Sequence, residues 1–175
     1  MRHVNIDHGF RRIEAGKGRR IAGESALVVG CGGVGSAIAA SLAAAGVARL
    51  GLFDAHSESA ASLGSRLTTH YPKLEVQTGV KDPSGFDVIV NATPIGMNEG
   101  DPLPMDVGRI APSSFVGEVV MKEEMTPFLR AAQAKGCAIQ IGVDMLFEQI
   151  PAYLEFFGFP TTTPDELRAV AKVHY

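Results

Sequence analysis

Apolar segments of two lengths alternate along the chain, and this alternation predicts strands and helices in turn. Short apolar runs rich in β-branched residues are typical of strands buried on both faces of a parallel sheet. Six such runs are found: Ser25–Val29, Arg49–Phe53, Leu74–Gln77, Phe86–Val90, Ser114–Val120 and Cys137–Ile141. Segments with helical spacing separate most of them, which indicates βαβ units. Because such crossovers are right-handed, we predict a doubly wound, Rossmann-type α/β fold with a six-stranded parallel sheet ordered 3-2-1-4-5-6.

The first two predicted helices are bounded by residues that favour helix ends. The apolar face of the first helix is expected to contain Val34, Ile38, Leu42 and Ala45. Gly46 is placed to end that helix in a left-handed conformation. For the second helix, Ser57 is the expected N-terminal cap and Pro72 the stop.

Three signals organise the second half of the chain. Thr126 and Thr163 each precede a proline, in the order that opens a helix. Pro151 falls inside a helical pattern, where we expect a kink or a restart. The chain is therefore divided into a linker helix (residues 1–22), a Rossmann domain (residues 23–160) and a C-terminal helix (residues 161–175).

Charge and cysteine content narrow the classes of function. The formal net charge of −3 leaves no broad basic surface for nucleic acid or for an anionic membrane. A basic cluster within residues 11–20 is interpreted as a solvated face rather than a nucleic-acid site. Cys31 and Cys137 form no CxxC pair, so neither a metal site nor a disulfide framework is expected. Since we recognise no signal peptide and no membrane-spanning stretch, we expect a cytoplasmic protein.

A glycine-rich turn directly follows the first predicted strand and precedes the first helix. Its sequence is Gly30-Cys31-Gly32-Gly33-Val34-Gly35, which contains GxGxxG in the strand–turn–helix setting of dinucleotide sites. Gly30 is expected to make the tight turn, Gly32 to let a pyrophosphate approach, and Gly35 to let helix and strand pack closely. The amides that open the helix then face the phosphates. The alternatives are a turn that binds no ligand and, for Cys31, a small buried side chain without reactivity.

Asp54 closes the second predicted strand, about twenty residues beyond the glycine turn. An acid at this point hydrogen-bonds the adenosine ribose hydroxyls and repels a 2′-phosphate. Ala55 adds no positive charge, whereas a protonated His56 offers one to a phosphate. We therefore predict NAD as the preferred cofactor, with NADP as the alternative. The competing interpretation is that Asp54 caps the following helix or turn.

Three stretches together carry a resemblance to a known family. The first is the glycine turn, extended to Ser36-Ala37. The second, Asn91-Ala92-Thr93-Pro94-Ile95-Gly96-Met97, is very close to an NATPxGM loop, and the third, Gly142 to Gln149, is similar to GxGMLxxQ. These strings resemble the shikimate/quinate dehydrogenase family, specifically its C-terminal nicotinamide-dinucleotide-binding domain. The resemblance covers residues 23–158.

The resemblance implies roles for particular residues. Thr93 would lie near the nicotinamide ribose, Met145 beside the nicotinamide, and Gln149 would hydrogen-bond the substrate. Core packing is the alternative for Met145, and a surface amide is the alternative for Gln149. No metal ligand is expected. The expected cofactor contacts are Gly30, Gly32, Gly33, Val34, Gly35, Asp54, Asn91, Thr93, Pro94, Val119, Gly142 and Met145.

The resemblance also implies a reaction, a hydride transfer between NAD(P) and a cyclic hydroxy acid of the shikimate or quinate class. Asp7, in Asn5-Ile6-Asp7-His8-Gly9-Phe10, is similar in setting to the family's catalytic aspartate, with a helix cap as the alternative role. The family's catalytic lysine belongs to a preceding substrate domain, and no equivalent segment is recognised here. We therefore expect the 175 residues to be part of a longer enzyme or a member without that domain.

Several positions depart from the family pattern. Asp54-Ala55-His56 replaces the Asn-Arg-Thr of NADP-dependent members, which removes an arginine that would bind a 2′-phosphate. Glu118-Val119-Val120-Met121 replaces Asp-x-x-Tyr, and Asp144 replaces a glycine beside the nicotinamide.

Other functions remain open at this point. One is a non-catalytic NAD-binding module or partner subunit that works with a separate substrate domain or as a homo-oligomer. Another is a Rossmann domain that uses S-adenosylmethionine in a transferase, which the NATPxGM-like loop disfavours. A purely structural domain is disfavoured because the glycine turn and Asp54 occur together.

Overall fold

The computed structural model describes residues 21–171, apart from the side chains of residues 148, 149, 152, 153 and 156. The strands in this range are β1 (Ser25–Val29), β2 (Arg49–Phe53), β3 (Glu75–Thr78), β4 (Val88–Asn91), β5 (Phe115–Glu118) and β6 (Ala138–Gln140). The helices are α1 (Gly33–Ala44), α2 (Ser57–His70), α3 (Pro127–Ala134), α4 (Gly142–Phe156) and α5 (Pro164–Val170), with a short 3-10 helix at Val107–Arg109. Nearly all of the predicted linker helix lies outside the described residues.

The six strands form one parallel sheet in the order β3-β2-β1-β4-β5-β6. This is the predicted doubly wound order, so the predicted fold class is confirmed. The order reverses between β1 and β4, where Val29 lies opposite Asn91. At such a point the chains leaving two neighbouring strands cross to opposite faces of the sheet, which opens a crevice at the carboxyl edge.

Helices cover both faces of the sheet, and each face has its own apolar core. Val28 and Val90 belong to the core under α1 and α2. Val29 and Ile89 belong to the core under α3 and the 3-10 helix. Consecutive residues of a strand point to opposite faces, so the central strands need apolar residues at every position. The burial of all residues of β1 and β4 agrees with this requirement.

The helix ends follow the local sequence signals at several positions. Gly46, with φ +86°, directly follows the C-terminal cap of α1. The Thr126 hydroxyl accepts a hydrogen bond from the Leu129 amide at 3.2 Å, so it caps α3 as predicted. Thr163 and Glu166 form a reciprocal capping box at the start of α5. Since α5 packs against α4, the C-terminal segment is folded onto the domain.

The prediction that Val34 lies on the buried face of α1 is wrong. Val34 is 51% exposed, and the buried face contains Gly35 and Ile38 instead. Successive residues of a helix are turned by about 100°, so residues 34 and 35 face different directions. Gly35 is the one directed at the sheet, where a Cβ atom would lie only 1.9 Å from the Gly30 carbonyl oxygen.

One prediction about helix boundaries is also wrong, and of the kink or restart predicted at Pro151 only the restart is contradicted. Ser57 is the first residue of α2 rather than its cap, and the preceding His56 makes no capping bond through its side chain. The His56 amide is instead bonded to Asp54, which fixes the approach to the helix. The predicted restart at Pro151 does not occur, because α4 continues through it. The proline removes only one backbone donor, and the helix as a whole packs against α5.

Among residues 21–171, no helix combines the length and the hydropathy that a membrane span requires. In the same range, no three His, Cys, Asp or Glu side chains come together as a metal site.

Candidate functional site

The glycine turn lies at the carboxyl end of β1, in the crevice beside β4. Gly30 has φ +103°, and a Cβ atom there would lie 2.6 Å from the Ala92 carbonyl oxygen. Its amide donates to the Phe53 carbonyl at 2.7 Å, which ties the turn to β2. Gly35 touches the Gly30 backbone from α1. Both glycines are therefore required by the fold itself, through a tight turn and a close helix–strand contact.

Gly32 and Gly33 have no such structural reason to be glycine. Both are exposed, and a Cβ atom at either would meet nothing within 4 Å. Gly32 caps α1 without a side-chain hydrogen bond, and the first turn of α1 contains no acidic residue. Within the described residues, the positive end of the α1 dipole thus faces open space bordered by small side chains. This arrangement fits the pyrophosphate of a dinucleotide, which needs close backbone approach and amide donors.

Asp54 joins the end of β2 to the glycine turn. One carboxylate oxygen accepts the Cys31 amide at 2.7 Å, and the other accepts the His56 amide at 2.8 Å. These two backbone donors, Cys31 first, hold the Asp54 pKa below its usual value, so the carboxylate stays charged at neutral pH. The turn-capping role weighed as an alternative is therefore observed. Each carboxylate oxygen keeps a further lone pair that can accept a hydrogen bond from a hydroxyl group. The predicted contact with the ribose hydroxyls therefore stays compatible with this geometry, and it remains a prediction.

A second turn, at the end of β4, is fixed by the fully buried Asn91. The Asn91 side-chain oxygen accepts from the Thr93 amide at 3.1 Å and from the Thr93 hydroxyl at 2.6 Å. Its amide group donates to the Ile95 carbonyl at 3.1 Å, while the Thr93 hydroxyl accepts from the Ile95 amide at 3.2 Å. Pro94 is exposed at the tip. Residues 91–95, called the Asn91 turn below, thus form a rigid wall of the crevice.

The remaining predicted contacts lie at the ends of β5 and β6. Val119 is half-buried, and its amide donates to the Asn91 carbonyl at 3.2 Å. Gly142 opens α4 so close to β5 that a Cβ atom would lie 2.1 Å from the Val120 carbonyl oxygen. Met145 packs against the core under α1 and α2, which is the alternative weighed for it. The structure brings these three residues to the carboxyl edge that also carries the Asn91 turn.

Asp144 does not carry an uncompensated charge beside this edge. Arg168 of α5 contacts its carboxylate at 3.1 Å and also pairs with Asp165 at 3.3 Å. The guanidinium of Arg168 lies 5.6 Å from the centre of the Phe147 ring. Helix α5 is thereby attached to the first two turns of α4, a link that the sequence patterns did not reveal.

Two predicted site residues are not placed by the structure. Asp7 lies outside the described residues. Gln149 belongs to α4, but its side chain is outside the described part of the chain. The catalytic and substrate roles proposed for them therefore stay predictions.

The Cys31 thiol is buried beneath the glycine turn. Its sulfur lies 3.5 Å from the Phe53 carbonyl oxygen. Burial, reinforced by the charge of Asp54, raises the pKa of Cys31 to about 11. Cys137 is also buried, and burial raises its pKa as well.

We expect both thiols to be protected in the native protein. At about pH 8 a thiol reagent should modify Cys31 at least about a hundredfold more slowly in native than in denatured protein, since little thiolate is present. The measurement is the rate of thiol modification with and without denaturant, and Cys137→Ser identifies the signal of Cys31. Rapid modification of native Cys137→Ser would contradict the inert role assigned to Cys31.

A shallow cavity of about 440 Å³ lies farther along the loop that follows the Asn91 turn. It is lined by residues 96–104 and by the beginning of α3. None of the predicted cofactor contacts lines it, and its walls carry charges of both signs. We therefore place the candidate nucleotide site in the crevice at the glycine turn, where the amide donors converge, and not in this cavity.

Comparison with known proteins agrees with this geometry. A model of the ThiF family matches residues 6–70, which include the glycine turn and Asp54. The shikimate dehydrogenase (NADP(+)) of Paracoccus denitrificans is 33% identical over 144 residues, 82% of this chain and 51% of that enzyme. The shikimate dehydrogenase (NADP(+)) of Acidiphilium cryptum is 34% identical over 166 residues, 93% of this chain and 59% of that enzyme. The chain thus spans about half the length of the curated relatives it matches.

A solved structure shows the same architecture. The quinate dehydrogenase of Corynebacterium glutamicum, in complex with NAD, superposes with a TM-score of 0.82 at 28% identity, over 96% of this chain and 61% of that chain. The fold is that of a Rossmann-type domain, and its glycine turn has the strand–turn–helix setting of dinucleotide sites. Over that domain the chain is similar to about half the length of the shikimate dehydrogenases and to the quinate dehydrogenase structure. The resemblance predicted from the three sequence stretches is confirmed.

Proposed function

We propose that this chain is the nicotinamide-dinucleotide-binding part of a shikimate dehydrogenase-like oxidoreductase. The observation that carries the proposal is the start of α1. Gly32 and Gly33 are exposed there, the helix has no side-chain cap, and the Asn91 turn forms the opposite wall. When bound, the dinucleotide supplies or accepts the hydride at C4 of its nicotinamide ring. The partner is the carbon that bears the hydroxyl or ketone of a cyclic hydroxy acid, the shikimate/3-dehydroshikimate pair.

Apart from Asp7, the residues of this chain bind and orient rather than react. The amides at the start of α1 hold the pyrophosphate, and Asp54 accepts the ribose hydroxyls. Thr93, Gly142 and Met145 shape the nicotinamide end. Gln149 orients the substrate, and Asp7 assists in moving the hydroxyl proton. The principal acid–base group comes from a substrate domain, supplied either on the same polypeptide or by a separate partner.

The names of the relatives and the presence of Asp54 point to different preferred cofactors. The named bacterial relatives are NADP(+) enzymes, whereas the quinate dehydrogenase structure contains NAD. In this chain the Asp54 carboxylate is held in the charged form, and an acid at this position is expected to repel a 2′-phosphate. We propose NAD as the preferred cofactor, with NADP bound more weakly. A cytoplasmic location is proposed on the two free, buried thiols.

Fluorescence titration with NADH and NADPH tests this proposal, and the chain has no tryptophan to add to the signal. We expect NADH to bind about tenfold more tightly than NADPH, because each 1.4 kcal/mol of charge repulsion is a factor of ten. Asp54→Asn removes the repulsion and should bring the two affinities close together. Glu75→Gln is the matched control, because it also removes one negative charge but lies at the amino-terminal end of β3, opposite Arg49. This variant should keep the preference for NADH.

The other possible results of this titration distinguish an error in the cofactor preference from an error in the location of the site. Tighter binding of NADPH would overturn the assignment of NAD while keeping the dinucleotide site. Binding of neither, by a chain shown to be folded, would overturn the assignment of the crevice.

A non-catalytic NAD-binding module is the second candidate. Met121, half exposed, stands where the family resemblance leads us to expect a tyrosine hydroxyl. Turnover of shikimate or quinate with NAD, in the presence of a separately supplied substrate domain, would favour the enzyme. Tight NADH binding without turnover under those conditions would favour the module.

A further inference from the structure

Glu118, the last residue of β5, is a buried acid that no role described so far accounts for. Its side chain is 1% exposed. Both carboxyl oxygens are buried, and within the described residues neither makes a well-formed hydrogen bond. An uncompensated charge at such a place is costly, so a carboxyl group there is expected to be uncharged or to mark a functional arrangement.

The position of Glu118 connects it to the Asn91 turn. It lies opposite Asn91 in the pairing of β4 with β5. Strand alternation directs both side chains to the face that carries Val116 and Ile89, beneath the start of α3. Thr126, the buried cap of α3, is its other polar neighbour. The carboxyl group therefore lies between the end of β4 and the first turn of α3.

Asn91 already has definite partners. Its oxygen accepts two hydrogen bonds from Thr93, and its amide group donates to the Ile95 carbonyl. A charged carboxylate at residue 118 would be a stronger acceptor than the neutral Ile95 carbonyl. The Asn91 amide group has a second N–H besides the one given to Ile95. An ionised Glu118 would draw this N–H toward itself, which would shift the Asn91 side chain within its turn and loosen the wall of the crevice.

We propose that Glu118 is a positioning residue of the dinucleotide site, whose uncharged carboxyl group leaves Asn91 committed to its turn and whose ionisation weakens dinucleotide binding. The effect on binding rests on the proposed function of the crevice. Glu118 acts through Asn91 and touches neither nucleotide nor substrate in this proposal.

The elements packed around Glu118 supply little to stabilise a charge. The strands on either side end in the neutral amides Asn91 and Gln140, and the first turn of α3 contains no acid. In the loop after β4, Asp101 is engaged with the amides of Gly96 and Asn98. Burial is the main cause that raises the Glu118 pKa, and Thr126 and then Asn91 oppose it more weakly.

The remaining charged groups nearby do not reverse this direction. Glu123, paired with Arg130 at 3.2 Å, also raises the Glu118 pKa. Lys122 is exposed in the same loop, and Asp144 of α4 is paired with Arg168. Because the folded-state pKa of Glu118 is raised, its favourable contribution is complete below the ordinary carboxyl pKa. The contribution is lost as the pH rises through the folded-state value.

The experiment compares NADH titrations of the wild type, Glu118→Gln and Glu124→Gln between about pH 5 and about pH 8. Glutamine keeps the shape of residue 118 and cannot ionise. Glu124→Gln removes an exposed acid from the same region and is the matched control. We expect wild-type affinity to fall by about threefold or more toward the higher pH. We expect Glu124→Gln to follow the wild type and Glu118→Gln to keep its low-pH affinity. His56, which is common to all three proteins, cancels in the comparison.

An identical pH profile for wild type and Glu118→Gln would overturn the proposal. The Asn91 side-chain amide, followed by NMR in the protein without nucleotide, provides a second measurement. Its resonances should shift with pH in the wild type and remain constant in Glu118→Gln. If no protein binds NADH at any pH, the proposed function fails, and the amide resonances alone decide whether Glu118 positions the turn. If Glu118→Gln does not fold, pH-independent Asn91 resonances in the wild type would overturn the proposal.

Discussion

Replacing Gly35 by alanine is expected to lower the free energy of unfolding by about 3 kcal/mol, at the upper end of overpacking costs. The added methyl group would lie 1.9 Å from the Gly30 carbonyl oxygen and 3.2 Å from the Ala92 Cβ. The carbonyl is backbone, so no side-chain rotation relieves the contact. Helix α1 would have to move away from β1, and the apolar core between them would open. Urea-induced unfolding followed by circular dichroism measures the change.

Gly33→Ala is the matched control, because the same methyl group is added within the same helix. It meets nothing within 4 Å there, and alanine is favoured over glycine in helices by about 1 kcal/mol. We expect this variant to be at least as stable as the wild type. Equal stability of the two variants would show that α1 does not pack against the Gly30 backbone as described.

Replacing Gly32 by valine is expected to reduce the affinity for NADH by about a hundredfold, roughly 2.7 kcal/mol. Gly32 has φ −69° and ψ −164°, a conformation that valine adopts without strain, and the space around it is open. The branched side chain would occupy the volume through which a pyrophosphate reaches the α1 amides. The unfolding free energy should change by only about 1 kcal/mol, since the cap position alone is affected.

Gly32→Ala provides a graded comparison and should reduce NADH affinity by less than the valine variant. Both proteins are examined by fluorescence titration and by unfolding, so that loss of binding is separated from loss of structure. Unchanged affinity in a folded Gly32→Val protein would place the nucleotide elsewhere.

The order of the sheet was predictable because the short apolar runs are each long enough for one buried strand. Right-handed crossovers then limit the possible orders, and the glycine turn after the first strand favours the dinucleotide-binding order 3-2-1-4-5-6. The bounds of β1 and β2 match the prediction, whereas those of β3 to β6 differ by one or two residues, where backbone pairing rather than apolar character sets the limit. The exposure of Val34 was mispredicted, and the restart that was one of the two outcomes expected at Pro151 does not occur. Both depend on contacts between distant elements, which local sequence does not encode.

The candidate site was predictable to the extent that it is local. The glycine turn and Asn91-Ala92-Thr93-Pro94 are continuous strings, and each retains a recognisable pattern. The bond from the Cys31 amide to Asp54 joins residues 23 positions apart, so it was not visible in either string. The burial of Glu118 was also hidden, since a glutamate at a strand end is usually solvated and its burial here depends on elements distant in the sequence.

The ties between the glycine turn and its neighbouring strands bear on how this domain can change over evolutionary time. The turn is held by the Phe53 carbonyl on one side and by contact with the Ala92 carbonyl on the other. Backbone supports of this kind persist when the surrounding side chains are exchanged. We therefore expect variation around the crevice to alter which molecule is presented to the nicotinamide while the way in which the nucleotide is held stays the same. Such a domain can be inherited as a unit and joined to different substrate-recognition partners.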